Sequence, residues 1–212
     1  MAGCCVTISP DPRWRPRLVI MVKLPRPGRV KTRLARGIGS VAAAWWMRRE
    51  IRRLRRLLDG RWETVLAIAP DGALLAREWP LGFKRIQQGS GNLGARMWRV
   101  LRQMPPGPVC IIGGDIPGIT RAHIARAFQA LGRADMAYGP TLDGGYWLVG
   151  HRRRGRIPAG LFEHVRWSSE TALADSIAST PDQRIALIDV LQDVDDAADL
   201  QAVSARIAPR ER

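Results

Sequence analysis

Three segments of this chain combine residue types that packing alone explains poorly. The first runs Lys23-Leu24-Pro25-Arg26-Pro27-Gly28-Arg29-Val30-Lys31-Thr32-Arg33-Leu34 and places five cations around one glycine. Lysine and arginine neutralise phosphate oxygens, arginine in bidentate fashion, and glycine lets a ligand approach the backbone closely. The glycine spacing is not that of a Walker A loop. A merely basic surface loop is the bland alternative. The second segment is Ile112-Gly113-Gly114-Asp115-Ile116-Pro117, an acid delivered at the end of the apolar run Val109-Cys110-Ile111-Ile112. A carboxylate there can hold magnesium or manganese, hard cations that bridge protein oxygens to substrate phosphates. Capping of the next helix would be the structural explanation, but Thr120 is better placed for that task. The third segment is Gly139-Pro140-Thr141-Leu142-Asp143-Gly144-Gly145-Tyr146-Trp147. Asp-Gly-Gly is a hairpin signal, and its place between two strand patterns suits Asp143, Gly144, Gly145 and Tyr146 equally to the wall of an acceptor pocket.

Two weaker segments join them. Gln87-Gln88-Gly89-Ser90-Gly91-Asn92-Leu93-Gly94 is a polar, glycine-rich approach to a helix, with amides able to read a nucleobase edge. Asp193-Val194-Asp195-Asp196 puts two carboxylates on one side of an extended stretch, where Asp193 and Asp195 could complete a metal's coordination. Asp196 is read instead as a helix cap. The histidines His123, His151 and His164 form no recognisable triad pattern, and Ser168 and Ser169 have no matched base, so nucleophilic triad chemistry is not expected.

The elements that must position these residues follow from apolar periodicity. Leu18 to Val22, Thr64 to Ile68, Phe83 to Ile86, Val109 to Ile112, Asp135 to Tyr138, Tyr146 to Val149 and Ile185 to Ile188 read as strands. Helical spacing covers Ser40 to Leu58, Asp71 to Trp79, Leu93 to Met104, Thr120 to Leu131, Ser169 to Ser179 and Asp196 to Ile207. Strand and helix alternate through most of the chain, which predicts an α/β fold with a mainly parallel central sheet and helices on both faces. Residues 1–16 are expected to be a loose arm and 17–212 one domain. In such sheets ligands bind beyond the carboxyl ends of the strands, where all three principal segments fall.

Composition narrows the partners. The chain has 212 residues, 46% hydrophobic and 25% charged, with a formal net charge of +15. That surplus suits anionic ligands, and a basic nucleic-acid-binding module is one reading of it. Arg48 to Arg56 and Arg152 to Arg156 are not interleaved with aromatic stacking residues, however, so they are read as solvated faces. Cys4, Cys5 and Cys110 show no paired spacing, and no apolar stretch suffices for a membrane span, so a cytoplasmic location is expected. Trp45 and Trp46 on the arginine-rich helix are candidate markers of a homo-oligomer interface.

Taken in order, the motifs resemble a family of small bacterial proteins with the nucleotide-diphospho-sugar transferase (GT-A-like, Rossmann-like) fold. That family is usually labelled glycosyltransferase, with some members linked to arsenosugar or selenium gene sets. The resemblance rests on Lys23-x-Pro25-x-x-Gly28-x-Val30-Lys31-Thr32-Arg33-Leu34, Gln88-x-x-Gly91-x-Leu93-Gly94-x-Arg96-Met97, Gly114-Asp115-x-Pro117, Gly139-Pro140-x-x-Asp143-Gly144-Gly145-Tyr146, Phe162 with Trp167-Ser168, and Asp193-Val194-Asp195 with Asp199-Leu200. It spans Val19 to Val203. The wider superfamily also contains nucleotidyltransferases. The resemblance implies that Lys23, Pro25, Gly28, Lys31, Arg33, Gln88, Gly91, Asn92 and Gly94 bind the nucleotide. It further implies that Asp115, Asp193 and Asp195 hold Mg2+ or Mn2+, with Lys31 and Asp115 catalytic. Asn92 stands where the family usually has Asp, and Ile116 leaves one acid rather than two in the strand-end motif. The expected ligands are a nucleoside triphosphate or sugar nucleotide and a small-molecule acceptor. The cationic loop favours nucleotidyl transfer, because departing pyrophosphate carries more charge than a nucleoside diphosphate. Glycosyl transfer is the alternative.

Overall fold

The computed structural model describes residues 14–57, 60–192, 194 and 196–201. Most of the expected arm, Asp193, Asp195 and the end of the expected last helix lie outside them. Seven strands form one sheet: β1 (Arg17–Lys23), β2 (Glu63–Ala69), β3 (Lys84–Gln87), β4 (Val109–Gly113), β5 (Met136–Pro140), β6 (Tyr146–His151) and β7 (Ile185–Leu187). Their order is β3-β2-β1-β4-β6-β5-β7. All neighbours are parallel except β6, which runs against both β4 and β5. Helices α1 (Thr32–Ile38), α2 (Ser40–Leu57), α3 (Leu93–Gln103), α4 (Arg121–Ala130) and α5 (Ala172–Ala178) connect them. This is the α/β sheet architecture expected from the alternation of patterns, with one strand reversed.

Both sheet faces are buried, which is why the central strands read as unbroken apolar runs. Alternate residues of one strand serve opposite layers. Leu18, Ile20 and Val22 of β1, with Cys110 and Ile112 of β4, pack under Leu34, Ala44, Met47, Ile51, Leu54 and Ile124 from α1, α2 and α4. Val19 and Ile111 face the other way, against Met97, Val100 and Leu101 of α3 and Ala172 of α5. Each such aliphatic side chain contributes roughly 1.5–3 kcal/mol when fully buried.

Three expectations are corrected here. Helix is confined to a 3-10 turn at Asp71–Ala73 in the stretch expected to be helical to Trp79. The Trp79 indole folds back to donate to the Ala73 carbonyl at 2.7 Å, while Leu75 lies 85% exposed. Trp46 is a core residue, whereas Trp45 is exposed with the Arg48 guanidinium over its ring. The arginine clusters are not simply solvated: Arg153 reaches the Leu101 and Met104 carbonyls at the end of α3, and Arg48 and Arg53 act as described below. Two capping expectations hold. Thr120 caps α4 through a capping box with His123, and Asp196 exchanges side-chain to backbone bonds with Asp199 at 197–201, a helical segment. No helix among the described residues is long and apolar enough to cross a membrane.

His151 ends β6 between the starts of β4 and β5, paired with Val109 and Met136. Its Nδ1 accepts from the Arg153 N–H at 2.9 Å, and its buried Nε2 has no partner among the described residues. Burial, reinforced by Arg153, lowers its pKa to about 4. An unfolded histidine titrates near ~6.5, so between those values the unfolded chain takes a proton that the folded chain refuses. Stability must therefore fall as pH drops from about 6.5 to about 4, by up to ~3 kcal/mol for this group. Urea unfolding at both ends of the window, compared with His151→Gln, tests this. The substitution is expected to remove most of the pH dependence, and an unchanged slope would show that His151 is not its source.

Candidate active site

The chain leaves β1 toward β2 and β3 on one side, then returns through α3 to place β4 on the other side of β1. The loops following β1 and β4 therefore start side by side and lead in opposite directions along the sheet, the arrangement that in sheets of this type opens a crevice at the carboxyl ends of neighbouring strands. That reversal point is the position where open α/β sheets bind ligands. Because β6 is antiparallel to β4, with Ile112 paired to Leu148, its first residue Tyr146 also lies at this edge. The loops after β2, β3 and β5 share it. The topology thus brings the basic loop, the Gly-Gly-Asp segment, the glycine-rich loop and the Asp-Gly-Gly turn to one rim.

At the crevice, Lys31 and Asp115 meet. Lys31 Nζ lies 2.7 Å from Asp115 Oδ2, with the lysine side chain 9% and the carboxylate 30% exposed. Lys31 precedes α1 in a left-handed conformation, φ 46° and ψ 51°. Such a backbone costs a non-glycine residue roughly 1–2 kcal/mol, and it aims the side chain inward where a right-handed residue would continue α1. Asp115 needs the glycines before it. A Cβ on Gly113 would stand 2.6 Å from Asp115 Oδ1, and one on Gly114 would stand 2.8 Å from Val22 Cγ1 and near the Met47 methyl. The two glycines therefore let the carboxylate fold back over the strand end while α2 packs against it.

The remaining basic residues form the outer rim. Lys23, Gly28, Arg29 and Arg33 are exposed, Pro25 is buried, and Arg26 lies 3.8 Å from Glu78. In the glycine-rich loop the expected reader of a base is turned inward. Gln88 is 3% exposed and its Nε2 donates to the Val22 and Ala67 carbonyls, at 3.2 and 2.8 Å, stitching β1 to β2 beneath the site. Asn92 caps α3 by accepting from Ala95 N–H at 2.9 Å. Gly91 offers its carbonyl to Arg96, and Gly94 faces Trp167 and Phe162, which a Cβ would strike. Arg99 grips the Gln88 and Ser90 carbonyls at 2.7 and 3.0 Å.

The Asp143-Gly144 turn is a hairpin between β5 and β6. Asp143 Oδ1 accepts from the Thr141 hydroxyl and from Gly145 N–H. Gly144 has φ +81° and touches the Glu170 carbonyl so closely that a Cβ cannot fit. Its own carbonyl receives Leu173 N–H at 3.0 Å, which fastens the turn to α5. Tyr146 is half-buried, edge-on to Tyr138 and Trp167, with its hydroxyl accepting from Ser176. Burial raises its pKa far above the ordinary phenol value.

A divalent cation fits this crevice in one way. Among the described residues no three His, Cys, Asp or Glu side chains gather to hold a metal, so there is no ready-made protein cage. Magnesium and manganese, however, commonly take one or two carboxylates and complete their shell with substrate phosphates and water. Asp115 suits that arrangement. Asp193 and Asp195 lie outside the described residues, on either side of the fully buried Val194.

Sequence patterns did not reveal the arginines that set the loops. Arg48 donates to the Pro25 carbonyl at 3.2 Å, and Arg53 to those of Ile116 and Ile119 at 3.0 and 3.5 Å. Their acceptors are backbone oxygens, which any residue supplies, so no residue-type signal marks them.

Known proteins share this fold. Residues 53–169 match a family described as an uncharacterized protein conserved in bacteria (DUF2064). No curated protein matches the sequence. A solved structure from Desulfovibrio desulfuricans G20, provisionally assigned as a nucleotide-diphospho-sugar transferase, superposes with a TM-score of 0.83 at 25% identity, covering 93% of this chain and 90% of that one. CMP:2-keto-3-deoxy-manno-octonic acid synthetase complexed with CTP gives a TM-score of 0.55 at 13% identity, over 93% and 100% of the two chains. Rv0371c from Mycobacterium tuberculosis H37Rv, in complex with manganese, gives 0.54 at 14% identity, over 90% and 97%. The fold is that of the nucleotide-diphospho-sugar transferases.

The strained backbone at Lys31 yields a direct test. Lys31→Gly and Lys31→Ala both delete the ion pair, but only glycine relaxes the left-handed conformation. The glycine variant is expected to be more stable than the alanine variant by ~1 kcal/mol in urea unfolding. Equal stabilities would mean that the conformation carries no strain. Asp115→Asn is expected to stay folded but to cost more than the ~1 kcal/mol of an exposed ion pair, because it takes this carboxylate from a lysine whose side chain is 9% exposed.

Proposed function

This chain belongs to the DUF2064 family, and from that premise we propose that it is a metal-dependent, nucleotide-using transferase. The favoured chemistry is nucleotidyl transfer from a nucleoside triphosphate to a small phosphorylated or acidic acceptor. The observation that carries the reading is the Lys31–Asp115 pair at the point where the strand order reverses. It joins a phosphate-seeking cation to a metal-seeking carboxylate at the position where this sheet type takes ligands.

In this reading a nucleoside triphosphate lays its phosphates over the loop from Lys23 to Arg33. Lys31 exchanges Asp115 for a phosphate oxygen, and Asp115 is the residue that would hold Mg2+ or Mn2+. Bound there, the ion would neutralise phosphate charge. Such partner exchange keeps every buried charge compensated, which matters because an unpaired one is costly. An acceptor oxygen then attacks the α-phosphorus, the α–β bridging bond breaks, and pyrophosphate carries the charge away. Lys23, Lys31 and Arg33 stabilise that departing charge. The turn from Asp143 to Tyr146 borders the acceptor side. Glycosyl transfer from a sugar nucleotide is the second reading, supported by the assignment of the Desulfovibrio neighbour. It would release a nucleoside diphosphate after attack at the anomeric carbon.

Two measurements test these statements. Lys31→Ala and Arg33→Ala should each weaken triphosphate binding by roughly 1.5–3 kcal/mol while leaving nucleoside binding nearly unchanged. Asp115→Asn should lose the metal-dependent part of that binding. Equal loss for nucleoside and triphosphate would rule out the phosphate role. For the reaction itself, candidate donors are incubated with metal and a panel of phosphorylated and hydroxylated acceptors. Acceptor-dependent pyrophosphate is the expected product. Acceptor-dependent nucleoside diphosphate from a sugar nucleotide, with no pyrophosphate from any triphosphate, would replace the first reading with the second.

A further inference from the structure

Arg53 of α2 holds the loop that carries Asp115. Its Nη2 donates to the Ile116 carbonyl at 3.0 Å and its Nη1 to that of Ile119 at 3.5 Å, while its Nε donates to Glu50 Oε2 at 2.7 Å. Glu50 is 5% exposed, a burial that an acid tolerates only when paired. The same loop is pinned from within by the Ile119 N–H to Ile116 carbonyl bond and by the burial of both isoleucine side chains. Ile116 directly follows Asp115, so holding its carbonyl anchors the Ile116–Pro117 peptide one residue beyond the acid and limits how far the loop bearing the carboxylate can shift from Lys31. A free arginine side chain would lose considerable rotamer entropy in making these bonds. Glu50, one helical turn earlier, offsets part of that loss by holding the guanidinium in its working orientation.

We propose that Arg53, held by Glu50, is a positioning residue that sets Asp115 for metal and phosphate binding. This rests on the reading of the Lys31–Asp115 crevice as the nucleotide site. Arg53 touches neither reactant. Its effect passes through the loop, and carboxylates displaced by as little as about an ångström bind and orient their ligands poorly. The pairing also gives Glu50 a role that packing does not, since a leucine or methionine would fill an interior-facing position of α2 without a charge to compensate.

The test uses Arg53→Lys, which keeps the charge and most of the stem but loses the planar fork, and Glu50→Gln, which leaves the fork in place without its anchor. Inorganic tripolyphosphate serves as a base-independent probe, titrated by calorimetry with Mn2+ and again in chelator. Amide hydrogen exchange is followed over residues 114–119, with α3 as the internal control. In both variants exchange of 114–119 should accelerate while α3 is unchanged. The metal-dependent Kd should rise by about tenfold or more, as for other groups that orient a metal ligand, and the metal-free Kd should stay within about twofold of the parent. A purely structural role would lower the thermal midpoint and weaken both Kd values together. Unchanged loop exchange, or a loosened loop with unchanged metal-dependent binding, would overturn the inference. A parent protein that shows no metal-dependent binding of tripolyphosphate would instead sink the nucleotide reading, and this inference with it.

Discussion

Lys31 and Asp115 can meet only because β1 and β4 are parallel neighbours, with Met21 in register with Gly113, so that the loops after both strands begin at the same end of the sheet. Everything nearby serves that encounter. The glycines before Asp115 clear room for its carboxylate. Gln88 seals the gap between β1 and β2 from below, so the strand ends cannot separate without leaving a buried amide unpaired. Helix α2 touches both loops, through Arg48 to the basic one and through Arg53 to the acidic one. Its core residues Met47, Ile51 and Leu54 fix it to the sheet, and its arginines then transmit that fixed position outward.

This division of labour explains what was legible in the sequence. Strands β1 and β4 announce themselves because both faces are buried, and α2 and α3 because one stripe is apolar and the rest charged. An acid after four apolar residues, preceded by two glycines, stands out for the same reason: nothing in core packing asks for it. Direction is a different matter. The residues of β6 alternate no differently from those of a parallel strand, so its reversal had to come from the structure. The stretch from Asp71 to Trp79 has helical apolar content, yet the Trp79 indole claims the Ala73 carbonyl that a longer helix would have used.

Residues at the strand ends stood out where their side-chain type is unexplained by packing and were hidden where the partner is backbone. Asp115 and Lys31 belong to the first kind. Arg48, Arg53 and Arg99 belong to the second, since the carbonyls of Pro25, Ile116 and Gln88 leave no trace in the letters of the sequence. Gln88 and Asn92 illustrate the reverse hazard. Both are polar residues in a glycine-rich loop, and the structure gives them architectural partners, a pair of strand carbonyls and a helix N-terminus.

The nested arrangement of cations also separates arrival from commitment. Lys23, Arg29 and Arg33 stand exposed at the rim, where their field extends into solvent to about a Debye length, ~8–10 Å at physiological salt. They raise the frequency with which an anion encounters the crevice, and dissolved salt weakens them readily. Lys31, behind them, is already engaged with Asp115 and contributes little to the far field. In the proposed reading, an anion that drifts in alone would meet a neutralised pair and be held more weakly. Only one that brings its own cation for the carboxylate can release the lysine without stranding a charge. Crowded by abundant small anions, a crevice that worked as proposed would discriminate by an exchange of partners at its floor, at a step that comes after collision.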